Sequence, residues 1–264
     1  MKIIVCVKQV PDTTDVNLDP VTGTLIREGI PSIINPDDKA GIEAALRIKD
    51  ENPNTTVTIL SMGPPQADVA LREALAMGAD AALLLTDRQF GGSDTWATSS
   101  IIAAALKKMD YDLIIAGRQA IDGDTAQVGP QIAEHLGIPQ VSYVSGLEVH
   151  GNKLIVKRSF EDGYHRLEVK MPCLITTLAE LNEPRYMTIG RVFDAYREFE
   201  VINWGHKDIK DTVDPANMGL KGSPTKVKKS FTKPPKGHGA VHEVSPDEAV
   251  EIIMKKLREK NILR

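Results

Sequence analysis

Short apolar runs alternate with longer amphipathic stretches along the first half of the chain, and that rhythm sets the expected fold. Residues 2–7 form a nearly unbroken apolar run, as a strand buried on both faces of a parallel sheet requires. Residues 12–30, rich in Asp, Thr, Pro and Gly, break the pattern and suit a hairpin or excursion. Asn35-Pro36-Asp37-Asp38 has the side-chain oxygens of a helix start, and Ile42, Ala45, Leu46 and Ile48 carry helical spacing up to Asn52-Pro53. Strands are then expected at 56–61, 81–86 and 113–116, with helices at 67–77, 96–109 and 126–136. Gly78 and Gly137 stop the first and last of these helices. Strand and helix alternating at this interval predict a doubly wound α/β fold: a mainly parallel sheet with helices on both faces.

From residue 141 the period changes. Runs at 144–149, 154–160 and 164–170 are separated by Gly151-Asn152 and Asp162-Gly163, which predicts an antiparallel extension of the sheet. A segment holding Ile189, Val192 and Phe193 follows Glu183-Pro184. A tract rich in lysine, proline and glycine, residues 221–239, reads as an extended arm. Ser245-Pro246-Asp247 starts a last amphipathic helix, with serine as cap and proline at the first helical position. The expected organisation is a nucleotide-binding α/β domain over 1–185, a recognition segment over 186–205, and a C-terminal arm with its helix over 206–264.

Composition narrows the function. The 32 basic and 36 acidic residues give a net charge of −4, which provides no global field for nucleic acid or anionic lipid. With a hydrophobic content of 42% a sizeable core is expected. Cys6 lies inside an apolar run and Cys173 follows Met171-Pro172, so both read as small buried hydrophobes rather than metal ligands or a disulfide framework. No apolar run reaches the ~20 residues of a membrane span, and the opening run is too short for a secretory leader; a cytoplasmic protein without membrane insertion is expected.

In a doubly wound sheet ligands bind outside the carboxyl ends of the strands. The richest loop there is residues 117–129, Gly117-Arg118-Gln119-Ala120-Ile121-Asp122-Gly123-Asp124-Thr125-Ala126-Gln127-Val128-Gly129. Free amides at a helix start, the helix dipole and Arg118 suit a pyrophosphate, and the same residues also fit an ordinary loop capped by Asp124 or Thr125. Neither the GxGxxG nor the GxxxxGK[ST] pattern occurs, so a different nucleotide mode is required. A second glycine-containing loop, Phe90-Gly91-Gly92-Ser93-Asp94-Thr95-Trp96, lies on the same rim; it suits a face towards a cofactor ring or a dinucleotide, and on its residues alone reads better as a linker with an Asp cap. The six histidines form no HExxH or tight cluster, and no serine lies in GxSxG, so neither a metal nor a serine nucleophile is expected.

Several segments together resemble the beta subunit of electron-transferring flavoproteins over nearly the whole chain. They are Val5-Cys6-Val7-Lys8-Gln9-Val10, the Asn35-Pro36 start, Ala74-Leu75-Ala76-Met77-Gly78-Ala79-Asp80, Gly117-Arg118-Gln119-Ala120-Ile121-Asp122 and Leu181-Asn182-Glu183-Pro184-Arg185-Tyr186. The resemblance implies an adenine nucleotide held by Cys6, Asn35, Asp38, Met62 and the loop from Gly117 to Val128, that is Gly117, Arg118, Gln119, Asp122, Gly123, Asp124, Thr125, Ala126, Gln127 and Val128. In the conventional branch of that family the nucleotide is a structural AMP; in the electron-bifurcating branch it is FAD. Residues 122–130, together with Ser93-Asp94-Thr95-Trp96-Ala97-Thr98, resemble the bifurcating branch. That branch implies NADH as donor, ferredoxin or flavodoxin as low-potential acceptor, and an alpha subunit whose FAD passes electrons to an acyl-CoA dehydrogenase. Arg118 is the candidate for tuning the flavin, with phosphate binding or a surface ion pair as its other roles. Ile189 takes the place of the family's apolar anchor for the dehydrogenase, and the arm and last helix are expected to wrap the alpha subunit. The remaining alternatives are the AMP-binding carrier and a nucleotide-binding regulatory module.

Overall fold

Residues 3–7 are buried without a break, which places the first strand at the centre of a sheet covered on both sides. The computed structural model describes residues 1–12, 31–228, 237 and 239–263. In chain order the elements are β1 (Lys2–Val7), β2 (Gln9–Pro11), β3 (Ser32–Ile34), α1 (Pro36–Glu51), β4 (Thr56–Met62), α2 (Asp68–Met77), β5 (Ala81–Leu85), α3 (Thr95–Leu106), β6 (Leu113–Gly117), α4 (Val128–Leu136), β7 (Gln140–His150), β8 (Lys153–Phe160), β9 (Gly163–Lys170), β10 (Cys173–Thr177), α5 (Ile189–Arg197) and β11 (Val201–Trp204). The main sheet has nine strands in the order β11-β5-β4-β1-β6-β10-β7-β8-β9. All its ladders are parallel except β7 with β8 and β8 with β9, which form the anticipated antiparallel extension.

Alternate side chains of the central strands enter two separate cores. Ile3, Val5, Val57, Ile59, Leu113, Ile115 and Ile175 pack with α1 and α2 on one face. Ile4, Cys6, Leu60, Leu83, Ile114 and Leu174 pack on the other with Ile101 and Ile102 of α3 and Ile132 of α4. Both cysteines are free and buried, as expected. The winding direction reverses at β1: β4, β5 and β11 lie to one side, β6, β10 and β7 to the other. The crevice between the carboxyl ends of β1 and β6 is therefore the switch point where doubly wound sheets bind ligands.

Two strands were not anticipated. Cys173–Thr177 returns from the antiparallel extension and inserts between β6 and β7, with all five residues buried. Val201–Trp204 pairs with β5 at the opposite edge. The segment read from 186 onward contains α5, which docks on α2. The excursion expected over 12–30 falls almost wholly outside the described residues, although β2 and β3, on either side of it, pair antiparallel. Much of the lysine-rich tract also lies outside them. The chain divides into two units, residues 1–228 and 229–264; the second holds the C-terminal helix Pro246–Glu259, whose Ser245 and Glu248 form a reciprocal capping box. Among the described residues no helix is long and apolar enough to cross a membrane.

Gly41 sets how closely α1 approaches the sheet. A Cβ there would stand 2.9 Å from Ile115 Cγ2 and 3.0 Å from Thr177 Oγ1, both on stiff branched side chains. Gly41→Val is therefore expected to destabilise the protein by about 2 kcal/mol through overpacking, despite relieving the helix of a glycine. Urea unfolding checks this: the midpoint falls, and an unchanged or raised midpoint contradicts the close approach.

Candidate functional site

The sequence-predicted residues converge on the switch-point crevice, but the bonds joining them differ from those expected. Asn35 is the N-cap residue of α1 by position, yet its side chain caps nothing in that helix. It crosses instead to the loop after β6, where Nδ2 donates to the Gln119 carbonyl oxygen at 2.9 Å and Oδ1 accepts from the Ile121 amide at 3.1 Å. The same Nδ2 donates to Asp38 Oδ1 at 3.1 Å, and Asp38 Oδ2 accepts from the Lys8 amide at 2.7 Å. One buried pair, Asn35 and Asp38, thus ties together the end of β1, the start of α1 and the loop after β6.

Gly117, the last residue of β6, makes this tie possible. A side chain there would coincide with Asp38 Oδ1 and would press on Asp37 Cβ at 3.0 Å. Asp37 in turn fastens the end of β10: its Oδ1 accepts from the Ala179 amide at 2.9 Å, and its carbonyl oxygen accepts from Thr177 Oγ1 at 2.9 Å. Arg118 Nε faces Asp37 Oδ2 at 3.2 Å without hydrogen-bond geometry, so both buried atoms keep unused bonding capacity. Burial, partly offset by the bonds from Asn35 and Lys8, pushes the Asp38 carboxyl up to about 7. Burial, with Asp38 nearby, pushes the Cys6 thiol up to about 12, so Cys6 is an apolar wall and not a nucleophile. Met62 closes β4 on the same rim and is half-buried.

The loop itself is polar and open. Lys8 Nζ pairs with Asp122 Oδ1 at 2.6 Å, and Gln119 Nε2 donates to Asp124 Oδ1 at 2.8 Å. Asp124 and Ala126 have φ of 49° and 53°, left-handed values that cost energy in residues with a Cβ and concentrate at functional sites. Nothing lies within 4 Å of a Cβ built on Gly123, so the space beside that residue is open. Neither Asp124 nor Thr125 caps α4: the N-cap is Gln127, without a side-chain cap bond, and α4 starts at Val128. The first-turn amides are consequently uncapped by any side chain, which fits a pyrophosphate better than the ordinary capped loop does. On the neighbouring loop Asp94 does cap α3, accepting from the Ala97 amide at 3.0 Å.

Lys8, Asp37 and Thr177 were not singled out from sequence. Lys8 follows β1 and Thr177 ends β10, so a search of strand ends finds them once β10 is recognised, whereas Asp37 lies in the first turn of α1, next to the predicted Asp38. Ile189 lies elsewhere, at the first position of α5, and is 79% exposed beside Tyr186 at 96%. Arg185 roots that segment by donating to Glu43 Oε2 at 2.8 Å and Asp50 Oδ2 at 2.8 Å. Burial opposes charge on Glu43, but the bonds from Arg185 and Arg47 outweigh it and hold the carboxyl below its usual range. A groove of about 750 Å³ lined by Met1, Lys2, Tyr111 and Pro172 lies at the amino ends of the strands, away from all these groups.

Asp38 gives the site a pH signature. Its proton is held more tightly in the folded chain than in the unfolded one, where aspartate titrates near 4. Its stabilising contribution is full below about pH 4 and is lost as pH rises to about 7. Relative to Asp38→Asn, the wild-type protein should lose on the order of 4 kcal/mol of unfolding free energy across that window, with no further change above it. Urea unfolding of both proteins from pH 4 to 8 checks this, and parallel stability curves contradict it.

Comparison with known proteins agrees with this geometry. The family model described as electron transfer flavoprotein domain matches residues 22–203. The chain is 60% identical to the electron transfer flavoprotein subunit beta of Clostridium acetobutylicum over the full length of both. It is 54% identical to the caffeyl-CoA reductase-Etf complex subunit CarD of Acetobacterium woodii and 49% identical to the acryloyl-CoA reductase electron transfer subunit gamma of Anaerotignum propionicum, again over both full lengths. The chain belongs to the electron transfer flavoprotein family, as a beta subunit.

Proposed function

We propose that the switch-point crevice holds FAD and that the chain works as the smaller half of a heterodimer with an electron transfer flavoprotein alpha subunit. The observation that carries this reading is the convergence, at one strand-end rim, of the Asn35–Asp38 floor, Arg118 and the uncapped amides of α4. Cys6, Asn35, Asp38 and Met62 would bound the adenine end, and Gly117, Arg118, Gln119 and residues 122–128 the pyrophosphate and beyond. When bound, the flavin supplies hydride acceptance from NADH and one-electron delivery to a low-potential acceptor, ferredoxin or flavodoxin, and through the alpha-subunit FAD to an acyl-CoA dehydrogenase.

The chain's own groups prepare the place for it. Arg118 brings a fixed positive charge that favours added negative charge on a neighbouring group. Asp122 draws the Lys8 ammonium onto the same loop. The open turn at Gly123 admits a ligand without moving backbone. The AMP-binding alternative uses the same phosphate contacts, so the open space at Gly123 and the left-handed backbone of Asp124 and Ala126 are what favour the longer dinucleotide.

The dehydrogenase would dock on the exposed apolar face of α5. Ile189, Tyr186, Phe193 and Tyr196 are all more than half exposed, whereas Arg72 fixes the helix from behind by donating to the Ala195 carbonyl oxygen at 2.6 Å. The names of the caffeyl-CoA and acryloyl-CoA reductase relatives support an acyl-CoA enzyme as the partner. The arm and C-terminal helix would engage the alpha subunit, and the protein would act in the cytoplasm. In the reconstituted heterodimer, Ile189→Ala should slow electron delivery to the dehydrogenase about tenfold while leaving NADH-dependent dye reduction unchanged. Equal loss of both activities contradicts the docking role, and no dye reduction by the unmutated heterodimer contradicts the NADH reading.

A further inference from the structure

Beside the apolar core shared by Ile101, Ile102 and Ile132, helices α3 and α4 are joined by a polar ladder. On α4, Gln127, Gln131 and His135 recur every four residues and share one face; on α3, Thr95 and Ser99 do the same. Thr95 Oγ1 donates to Gln127 Oε1 at 2.9 Å. Ser99 Oγ, fully buried, lies 3.2 Å from Gln131 Oε1 and 3.2 Å from His135 Nε2. Ser100 Oγ is also 3.2 Å from that nitrogen, and the Trp96 ring meets the His135 ring edge-on at 4.8 Å. Burial and Lys107 hold His135 below the usual imidazole value, so the ring meets these hydroxyls in its neutral form.

Such a ladder fixes axial register. The ladder adds directional bonds to the apolar packing of Ile101, Ile102 and Ile132, beyond which α3 continues with small buried alanines, Ala103 to Ala105. Ser99 Oγ also donates to the Trp96 carbonyl oxygen at 2.9 Å, so a slip of one turn, about 5.4 Å, would cost it the contacts with Gln131 and His135 and leave it that bond within α3. The register in turn decides where the first turn of α4 stands on the rim.

The uppermost rung has a second consequence. Gln127 occupies the N-cap position of α4, within reach of the first-turn amides, yet it makes no cap bond and its oxygen accepts instead from Thr95. Pro130, at the third helical position, contributes no N–H, so the donors left to an anion come from the residues just before it. We propose that the ladder is a positioning device for the phosphate end of the nucleotide site, with Thr95 as the residue that draws Gln127 onto α3 and leaves the amides of α4 open to phosphate oxygens. This inference rests on the nucleotide reading above and adds Thr95, which that reading leaves without a role. Asp94, next to Thr95, accepts from Thr225 Oγ1 at 2.6 Å and from the Thr225 amide at 2.9 Å, which anchors the start of α3 independently of the ladder.

The test compares ligands that differ only in phosphate. Isothermal titration of the full chain with AMP and with adenosine is made for wild type, Thr95→Val, Thr95→Ser and Gln127→Ala, and for Thr95→Val combined with Gln127→Ala. Thr95→Val should weaken AMP about fivefold, the worth of one hydrogen bond, and leave adenosine within twofold. Thr95→Ser should restore AMP, and with Gln127→Ala in place Thr95→Val should have no further effect, since no side chain remains to be positioned. Equal weakening of AMP and adenosine, no rescue by serine, or an undiminished effect in the Gln127→Ala background each overturns the positioning role while the nucleotide site stands. Wild-type protein that binds neither ligand overturns the nucleotide reading itself, and this role with it. Should Thr95→Val fail to fold, as its thermal midpoint would reveal, Thr95→Ala serves for the same comparison.

Discussion

The whole site depends on one close fit: the carboxyl group of Asp38 occupies the space that a side chain at position 117 would fill. That fit brings the start of α1 against the end of β6, and Gly41, one turn further on, continues it by letting the helix lie close to Ile115 and Thr177. With the two elements so near, the polar groups at their ends cannot all reach water. Asn35 and Asp38 satisfy them internally, through the Lys8 amide, the Gln119 carbonyl and the Ile121 amide. The loop is thereby pinned at its root, while the space beside Gly123 stays open. Binding surfaces need this combination of a fixed base and an unobstructed edge.

A second anchor of the same kind serves the outer face. Glu43, on α1 like Asp38, is buried and holds Arg185, and Arg185 roots the segment that leads to α5. One helix therefore positions both the rim at its amino end and, along its length, the start of the exposed apolar patch. The ion pair earns its place by geometry more than by net energy, since buried pairs recover little beyond their desolvation cost. Removing Arg185 would leave the buried Glu43 with Arg47 alone, and removing Glu43 would leave the half-buried Arg185 with Asp50.

Much of the fold was legible because a doubly wound sheet has a strong local signature. The apolar runs, the glycine stops and the Ser245 cap each report on their own neighbourhood, and the elements they predict are present. β10 was missed for the opposite reason: Cys173 to Thr177 is too short to carry a period, and its place between β6 and β7 is set by strands far away in sequence. β11 is an edge strand of four residues. At the site, the loop from Gly117 to Val128 could be read from its composition and its place after a strand. The bonding within it could not, because Asn35 has the look of a helix cap and Asp124 that of another, yet each finds a partner outside the helix it adjoins. Local side-chain chemistry fixes what a residue can bond, and tertiary contact decides which bond is made.

The central claim is that the crevice between β1 and β6 holds a redox flavin. Its most direct test is the absorption spectrum of the chain purified with its alpha partner, giving the flavin content per heterodimer and its bleaching on addition of NADH. Two FAD per heterodimer, with NADH bleaching the flavin absorbance, is the result expected. One FAD together with AMP would contradict the claim and leave the crevice with a structural nucleotide.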